Sequence, residues 1–143
     1  MCSSDLRAFT LVDRSERKIR FVRQTARALG LENVEAVCGD VTALAATDGF
    51  IAFDTVVIRA VAGAAEAWRL ARTSVAGGGR LLVMAHAQRG APAGVKEGVK
   101  EEAVTADARI VARAALAIPG LQFRHELLVV ERAAAAPSDS IDN

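Results

Sequence analysis

The feature that most constrains this chain is a short apolar segment that ends in an acid and leads into an arginine-rich helix. Residues 9–12 are typical of a buried parallel strand, Asp13 follows them, and Ser15 opens a periodic helical segment. In nucleotide-binding α/β folds, an acid in this position accepts hydrogen bonds from ribose hydroxyls at the sheet edge where ligands bind. Because Asp also begins turns and caps helices, an ordinary strand end is the alternative interpretation.

Composition predicts one globular α/β domain. The chain has 143 residues, of which 52% are hydrophobic and 24% charged, with a net charge of +1. A polyanion would therefore have to bind a local patch rather than a global positive field. No apolar run has the length of a membrane span and no signal peptide is visible, so we expect a cytoplasmic protein without a membrane partner. Cys2 and Cys38 form no metal-ligand pattern, and we expect no metal and a core position for Cys38.

The helical segment, residues 15–29, has one apolar face and an adjoining basic one. Its apolar residues recur at spacings of three and four, at Ile19, Val22, Ala26 and Leu29. Arg20, Arg23 and Arg27 lie within about 60° of one another beside that stripe. These arginines are either a solvated face or RNA contacts, and Gly30 is predicted to end the helix.

Two further strands are predicted to reach the same ligand-binding edge. Residues 33–38 form a strand, and the following Gly39-Asp40-Val41 is either a loop beside a nucleotide base or a plain turn; residues 42–46 could add one helical turn. Residues 53–58 form a third strand that we expect to be buried on both faces. Arg59, which follows this strand, either lies at the edge of the sheet where ligands bind or has a purely structural role.

The second half of the chain is predicted from weaker patterns. We expect a helix over 62–75, a glycine turn at 77–79, a strand over 80–84, a loop over 85–94 and a charged helix over 95–104. Residues 108–117 fit either a strand or a helix, and Pro119-Gly120 fits a turn. Residues 127–130 are predicted to form an antiparallel strand. Residues 133–143 are predicted to be a disordered tail.

With these segments placed, the chain resembles the RsmG family (glucose-inhibited division protein B), which are S-adenosylmethionine-dependent methyltransferases of small-subunit ribosomal RNA. The matching stretches are FTLVDRSERKIRFVRQ, ALGLENVEAV, FDTVVIRAVA, GGGRLLVM and PGLQFRHELLVVERA. The resemblance implies the α/β fold of a class I methyltransferase, a Rossmann-like three-layer sandwich. It also implies S-adenosylmethionine as cofactor, guanine N7 of 16S ribosomal RNA as methyl acceptor, and a monomer when full length.

The same resemblance implies roles for individual residues. Asp13 would bind the ribose hydroxyls, Val41 and Thr42 would pack on the adenine beside Asp40, and Arg59 would lie at the cofactor and substrate edge. Lys18, Arg20 and Arg23 would contact RNA phosphates. No catalytic side chain is expected, because guanine N7 already presents a lone pair and methyl transfer needs no general base.

Relative to this family, the sequence lacks the first strand and its glycine-rich cofactor loop, so we expect cofactor binding and methyl transfer by this chain to be impaired. We expect residues 7–132 to be a partial methyltransferase domain. Residues 1–6, MCSSDL, back-translate from a GTG start to GTG TGC TCT TCC GAT CT, the end of a common sequencing adapter, and we expect them to be a non-native leader. Since the missing strand would be central, the chain is predicted to be poorly stable or to aggregate.

Two other functions are compatible with parts of the sequence. A nicotinamide-dependent oxidoreductase fragment would use Asp13 equally well, although the chain has no G-x-G-x-x-G. A non-catalytic RNA-binding fragment would use the basic face of residues 15–29.

Overall fold

The computed structural model describes residues 7–59, 63–86, 102–116 and 125–134. The chain divides into two compact units, residues 1–50 and residues 51–143. The first unit contains β1 (Phe9–Asp13), α1 (Glu16–Ala28), β2 (Val34–Cys38) and α2 (Val41–Ala45). The second contains β3 (Phe53–Arg59), α3 (Ala64–Ala71), β4 (Val75–His86), β5 (Glu102–Thr105), β6 (Ala108–Leu116) and β7 (His125–Arg132).

In the first unit, β1 and β2 form a parallel pair with α1 packed against it. The register runs from Phe9 opposite Val34 to Asp13 opposite Cys38, so the two strands end level with each other. Ile19 and Ala26 of α1 are buried, as the apolar periodicity predicts, whereas Leu29 is 67% exposed because the helix has ended there.

The end of α1 follows from a glycine, as predicted. Gly30 has φ +66°, which favours a residue without a Cβ. Its N–H donates to Arg27 O at 3.2 Å, and the N–H of Leu31 donates to Ala26 O at 2.9 Å. This is the Schellman pattern of hydrogen bonds that satisfies the last carbonyls of a helix.

The second unit is built on a five-stranded sheet in the order β3-β4-β7-β6-β5. β3 runs parallel to β4, while β7 is antiparallel to both β4 and β6, which confirms the predicted antiparallel last strand. The core lies between α3 and this sheet, where Trp68 is buried with Leu81, Val83 and Val130.

Three predictions of burial are wrong, those for β1, for β3 and for Cys38. Phe9 and Leu11 on β1 are 53% and 41% exposed, and Val57 on β3 is 61% exposed. α1 packs against β1 and β2, and Val56 and Ile58 of β3 pack against the core of the second unit. The exposed side chains alternate with these along the strands and lie on the face that no described element of the same unit covers. Cys38 is likewise exposed rather than in the core.

Three boundaries also differ from the sequence prediction. The helix predicted to reach residue 75 ends at Ala71, and the glycines at 77–79 lie within β4 at a register irregularity opposite β3. β4 extends through Ala85 and His86, which were predicted as loop. Residues 102–104, predicted as helix, belong to β5, where cross-strand pairing with β6 overrides their charged composition.

Within the ambiguous segment 108–117, residues 108–116 form strand β6, which pairs with β5 and β7. Several predicted features lie outside the described residues: the leader 1–6, most of the loop 85–94, residues 95–101, the turn at Pro119-Gly120, and the tail from residue 135 onward.

Candidate cofactor site

The candidate site of the first unit lies where β1 and β2 end. Because the strands are parallel and in register, the loops that follow them leave the sheet side by side. The N–H of Gly39, the first residue after β2, donates to Asp13 O at 3.1 Å. The Cys38 thiol also donates to Arg14 O at 3.7 Å, so one backbone and one side-chain hydrogen bond join the two strand ends.

Asp13 places an ionised carboxylate at this edge. Its Oδ1 accepts a hydrogen bond from the Ser15 backbone N–H at 2.8 Å, and its Oδ2 accepts one from Lys18 Nζ at 2.9 Å. The Lys18 bond, and after it the Ser15 bond, lower the pKa of the Asp13 carboxyl below its ordinary value. The side chain retains 36% of its exposure, so a ligand hydroxyl can reach it.

Asp40 has a different local role, because its side chain caps α2. Its Oδ1 accepts hydrogen bonds from Thr42 N at 2.8 Å and Thr42 Oγ1 at 2.5 Å, and its Oδ2 forms an ion pair with Arg14. The Thr42 hydroxyl and amide, with a smaller effect from Arg14, lower the pKa of the Asp40 carboxyl. Asp40 therefore orders the loop after β2 through an N-cap, a contact that sequence spacing allows but does not single out.

The two carboxylates are hydrogen-bond acceptors and carry no proton near neutral pH. An acceptor pair on one carboxylate suits a vicinal diol, which offers two hydroxyl donors in a fixed geometry. Asp13 fits that task better than Asp40, since in the described ranges Asp13 accepts from two donors, whereas Asp40 accepts two hydrogen bonds from Thr42 and pairs with Arg14. The arrangement can accept hydrogen bonds from the hydroxyls of a sugar.

Comparison with known proteins identifies the family. The model of the family described as rRNA small subunit methyltransferase G matches residues 1–108. This chain belongs to the rRNA small subunit methyltransferase G family. Ribosomal RNA small subunit methyltransferase G of Methylococcus capsulatus is 38% identical over 98 residues, covering 65% of this chain and 46% of the relative. The enzyme of the same name from Deinococcus deserti is 35% identical over 132 residues, covering 90% of this chain and 52% of the relative.

The chain thus spans about half the length of these methyltransferase G relatives. Solved structures agree in fold. The Escherichia coli protein yhhF aligns with a TM-score of 0.59 at 14% identity, covering 90% of this chain and 64% of that one. TrmN from Thermus thermophilus aligns with a TM-score of 0.53 at 19% identity, covering 87% of this chain and 36% of TrmN. The predicted Rossmann-like α/β fold of a class I methyltransferase is confirmed.

The residues predicted to bind the cofactor are distributed over both units. Asp13, Asp40, Val41 and Thr42 lie together at the ends of β1 and β2, with Val41 half-buried as the first residue of α2. Arg59 is the exposed last residue of β3, in register with Met84, and belongs to the second unit.

The three cations predicted to contact RNA have distinct surroundings. Lys18 pairs with Asp13, and Arg20 Nη2 lies 3.4 Å from Glu16 Oε1 on the exposed face of α1. Arg23 donates from Nε and Nη2 to Ala36 O at 3.0 and 2.8 Å, which joins α1 to β2. Of the three side chains, Arg23 is thus the one with a clear part in packing the first unit.

Sequence reasoning missed Arg14. Its guanidinium pairs with Asp40 across the two loops while 78% of its side chain stays exposed. A basic residue directly after the strand-ending acid was the signal available in the sequence. Its partner is 26 positions away, and only the parallel register of β1 and β2 shows that the two loops adjoin.

Membrane-spanning helices and metal-ligand clusters are both absent from the described ranges. No helix there is long and apolar enough to cross a membrane. Likewise, no three His, Cys, Asp or Glu side chains in those ranges form a group that could hold a metal ion.

Proposed function

We propose that this chain forms part of an S-adenosylmethionine-dependent methyltransferase domain that methylates guanine N7 of 16S ribosomal RNA in the small subunit. The proposal rests on the family match and on the ionised Asp13 carboxylate at the end of β1. Its setting is the cytoplasm, and we propose that the complete domain acts as a monomer.

In this proposal Asp13 binds the ribose of the cofactor. The Ser15 N–H fixes one carboxylate oxygen and thereby the orientation of the other, so the acceptor pair is positioned before the ligand arrives. Val41 and Thr42 line the adenine beside Asp40, whose N-cap contacts hold that loop in one conformation. Arg59 contributes at the carboxyl end of β3.

The cofactor, when bound, supplies an electrophilic methyl group on a sulfonium. Guanine N7 carries a lone pair and no proton, so the chain needs no side chain to remove one. Its residues have to bind the cofactor, orient it toward the guanine and exclude water from the site. This role accords with carboxylates that are already ionised hydrogen-bond acceptors.

For the RNA we propose phosphate contacts from Lys18, Arg20 and Arg23 on α1. Arg20 is the most available of these, because its bond to Glu16 is long and both side chains are more than three-quarters exposed. Arg23 donates two of its five N–H groups to Ala36 O, and its other N–H groups can donate to a phosphate. Lys18 becomes available when it leaves Asp13.

We also propose that residues 7–132 are one part of the complete methyltransferase domain. β3 is an edge strand of its sheet, and β1 has β2 as its one neighbour among the described strands, so β1 and β3 each have an edge that a further parallel strand can pair with. The exposure of Phe9, Leu11 and Val57 supports additional covering structure on these strands.

Isothermal titration of the chain with S-adenosylhomocysteine tests the cofactor assignment. We expect binding by the wild type and a loss of at least about tenfold in affinity for Asp13→Ala, because two hydrogen-bond acceptors for the ribose are removed. Asp54→Ala is the matched control, since it removes an exposed carboxylate on β3 and should leave affinity unchanged. Binding of NAD in preference to S-adenosylhomocysteine would contradict the proposal.

The RNA assignment is tested by binding of a 16S RNA fragment at several salt concentrations. Replacing a phosphate-contacting cation should weaken binding and reduce the salt dependence by about one unit of slope per contact. Salt-dependent RNA binding by a chain that binds neither S-adenosylhomocysteine nor NAD, and that survives Asp13→Ala, would instead indicate a non-catalytic RNA-binding fragment.

A further inference from the structure

Lys18 forms an ion pair with Asp13, the carboxylate to which a ribose ligand is proposed to bind. Lys18 lies in the first turn and a half of α1, and its Nζ is 2.9 Å from Asp13 Oδ2. The other oxygen, Oδ1, is already bonded to the Ser15 N–H at 2.8 Å. A vicinal diol donating to both oxygens therefore approaches a carboxylate that already accepts from a backbone amide on one oxygen and from an ammonium group on the other.

The two bonds to Asp13 differ in how easily they can be exchanged. The Ser15 donor is a backbone amide two residues away, fixed by the start of α1. The Lys18 donor ends a flexible four-carbon chain that is 69% exposed. Exposed ion pairs of this kind contribute little, because water solvates both partners and holding the lysine in one rotamer costs entropy.

Asp40 provides a contrast on the neighbouring loop. Its Oδ1 accepts both donors of Thr42, and removal of these would release the N-cap of α2. Its Oδ2 pairs with the exposed guanidinium of Arg14, so Asp40 accepts from three donors in the described ranges. Asp13 accepts from two, and displacing the exposed Lys18 side chain leaves it with the Ser15 N–H.

We infer that Lys18 is an internal competitor for the ribose-binding carboxylate, so that cofactor binding displaces its ammonium group from Asp13 Oδ2. This inference rests on the proposed function of Asp13 and concerns what sets the affinity of that site. Lys18 acts through Asp13 and is a positioning residue. Its release on ligand binding also returns a cation to the surface of α1, where the RNA contacts are proposed.

The test compares S-adenosylhomocysteine affinity in the wild type, Lys18→Met, Lys18→Arg and Arg17→Met by isothermal titration. Met and Arg have helix propensities close to that of Lys, so α1 is preserved in each variant. Lys18→Met should bind about two- to fivefold more tightly than the wild type, the range expected for removal of an exposed ion pair. Lys18→Arg should stay near the wild type, because the guanidinium continues to compete.

Arg17→Met is the matched control, because it removes one positive charge from the adjacent position of α1. It should leave the affinity unchanged, which separates loss of the contact from loss of general charge. Salt gives a second readout: raising ionic strength from about 0.02 M to about 1 M screens exposed pairs and should bring the wild type and Lys18→Met affinities together. A purely structural role for Lys18 would give no such convergence.

Equal affinity of the wild type and Lys18→Met, or weaker binding by Lys18→Met, would overturn the inference and leave the ribose role of Asp13 standing. Absence of binding in every variant would instead contradict the proposed function and the inference together. Tighter binding by Lys18→Met that disappears in the double variant with Asp13→Ala would support both.

Discussion

Arg23 of α1 donates two hydrogen bonds to the backbone carbonyl oxygen of Ala36 on β2, from Nε at 3.0 Å and from Nη2 at 2.8 Å. Ala36 is buried, and so are Ile19 and Ala26 on the helix. The Arg23 side chain thus links α1 to β2 by hydrogen bonds, in addition to the burial of apolar residues on both elements. This relationship turns an arginine that the sequence places on a basic face into a structural element of the first unit.

Replacing Arg23 should therefore cost stability. Arg23→Met leaves the partly buried Ala36 oxygen without these two donors, and we expect the free energy of unfolding of the first unit to fall by about 1–2 kcal/mol. Hydrogen exchange of the α1 and β2 amides measures it. Arg20→Met, whose partner Glu16 is exposed, is the control and should change stability by a few tenths of a kcal/mol. Equal protection in the two variants would show that the Arg23 bonds contribute nothing.

Gly79 should tolerate no side chain. A Cβ there would lie 2.9 Å from Ala76 O and 3.0 Å from Asp54 O, both backbone atoms, at the irregularity where β4 meets β3. We expect Gly79→Ala to lower the free energy of unfolding of the second unit by about 1–3 kcal/mol. Denaturation followed by fluorescence of Trp68, the single tryptophan of the chain, measures this change. Gly63→Ala, which meets nothing within 4 Å, is the comparison, and a similar loss there would refute the steric cause.

The second unit should lose stability in acid through Asp107. The Thr105 hydroxyl at 2.6 Å, and after it the Trp68 indole N–H at 3.4 Å, lower the pKa of the Asp107 carboxyl. A carboxyl with a depressed folded pKa stabilises the folded state above its unfolded pKa, and this contribution is lost as pH falls through the folded pKa. Stability should thus decline below about pH 4, with a shallower decline for Asp107→Asn.

Trp68 fluorescence across a series of denaturation curves between about pH 2 and pH 6 measures that decline. Asp54→Asn is the control, because the Asp54 side chain has no hydrogen bond or ion pair within the described ranges and its variant should follow the wild type. Identical acid limbs for the wild type and Asp107→Asn would mean that the hydrogen bonds of Asp107 do not contribute.

The exposed apolar residues should drive association of the chain. Val57 is 61% exposed on β3, an edge strand, and unpaired edges that carry apolar side chains recruit other chains. Val57→Lys should raise the monomeric fraction measured by size-exclusion chromatography with light scattering. Thr55→Lys adds the same charge at an already polar, exposed position of β3 and should help less. A wild-type chain that is a soluble monomer with a cooperative thermal transition would contradict the predicted instability.

Sequence patterns predicted the local elements of the first unit well, and those of the second unit less well. The periodicity of α1 and the glycine after it placed the helix within one residue of Glu16–Ala28, because both signals act over a single turn. Burial of β1 and β3 was overestimated for the opposite reason. An apolar strand is buried only if something covers its second face, and nothing in residues 9–12 or 53–58 specifies that cover.

The candidate site divides in the same way. The sequence by itself determined the strand, the acid at its end, the helix that follows and the family to which the chain belongs. Only the tertiary structure decided that Lys18 and Arg14 form ion pairs with Asp13 and Asp40. The same holds for the hydrogen bonds from Arg23 to the Ala36 carbonyl oxygen. Backbone propensity acts between neighbours in sequence, whereas the partner of a long charged side chain is whichever acceptor the folded backbone brings within hydrogen-bond distance.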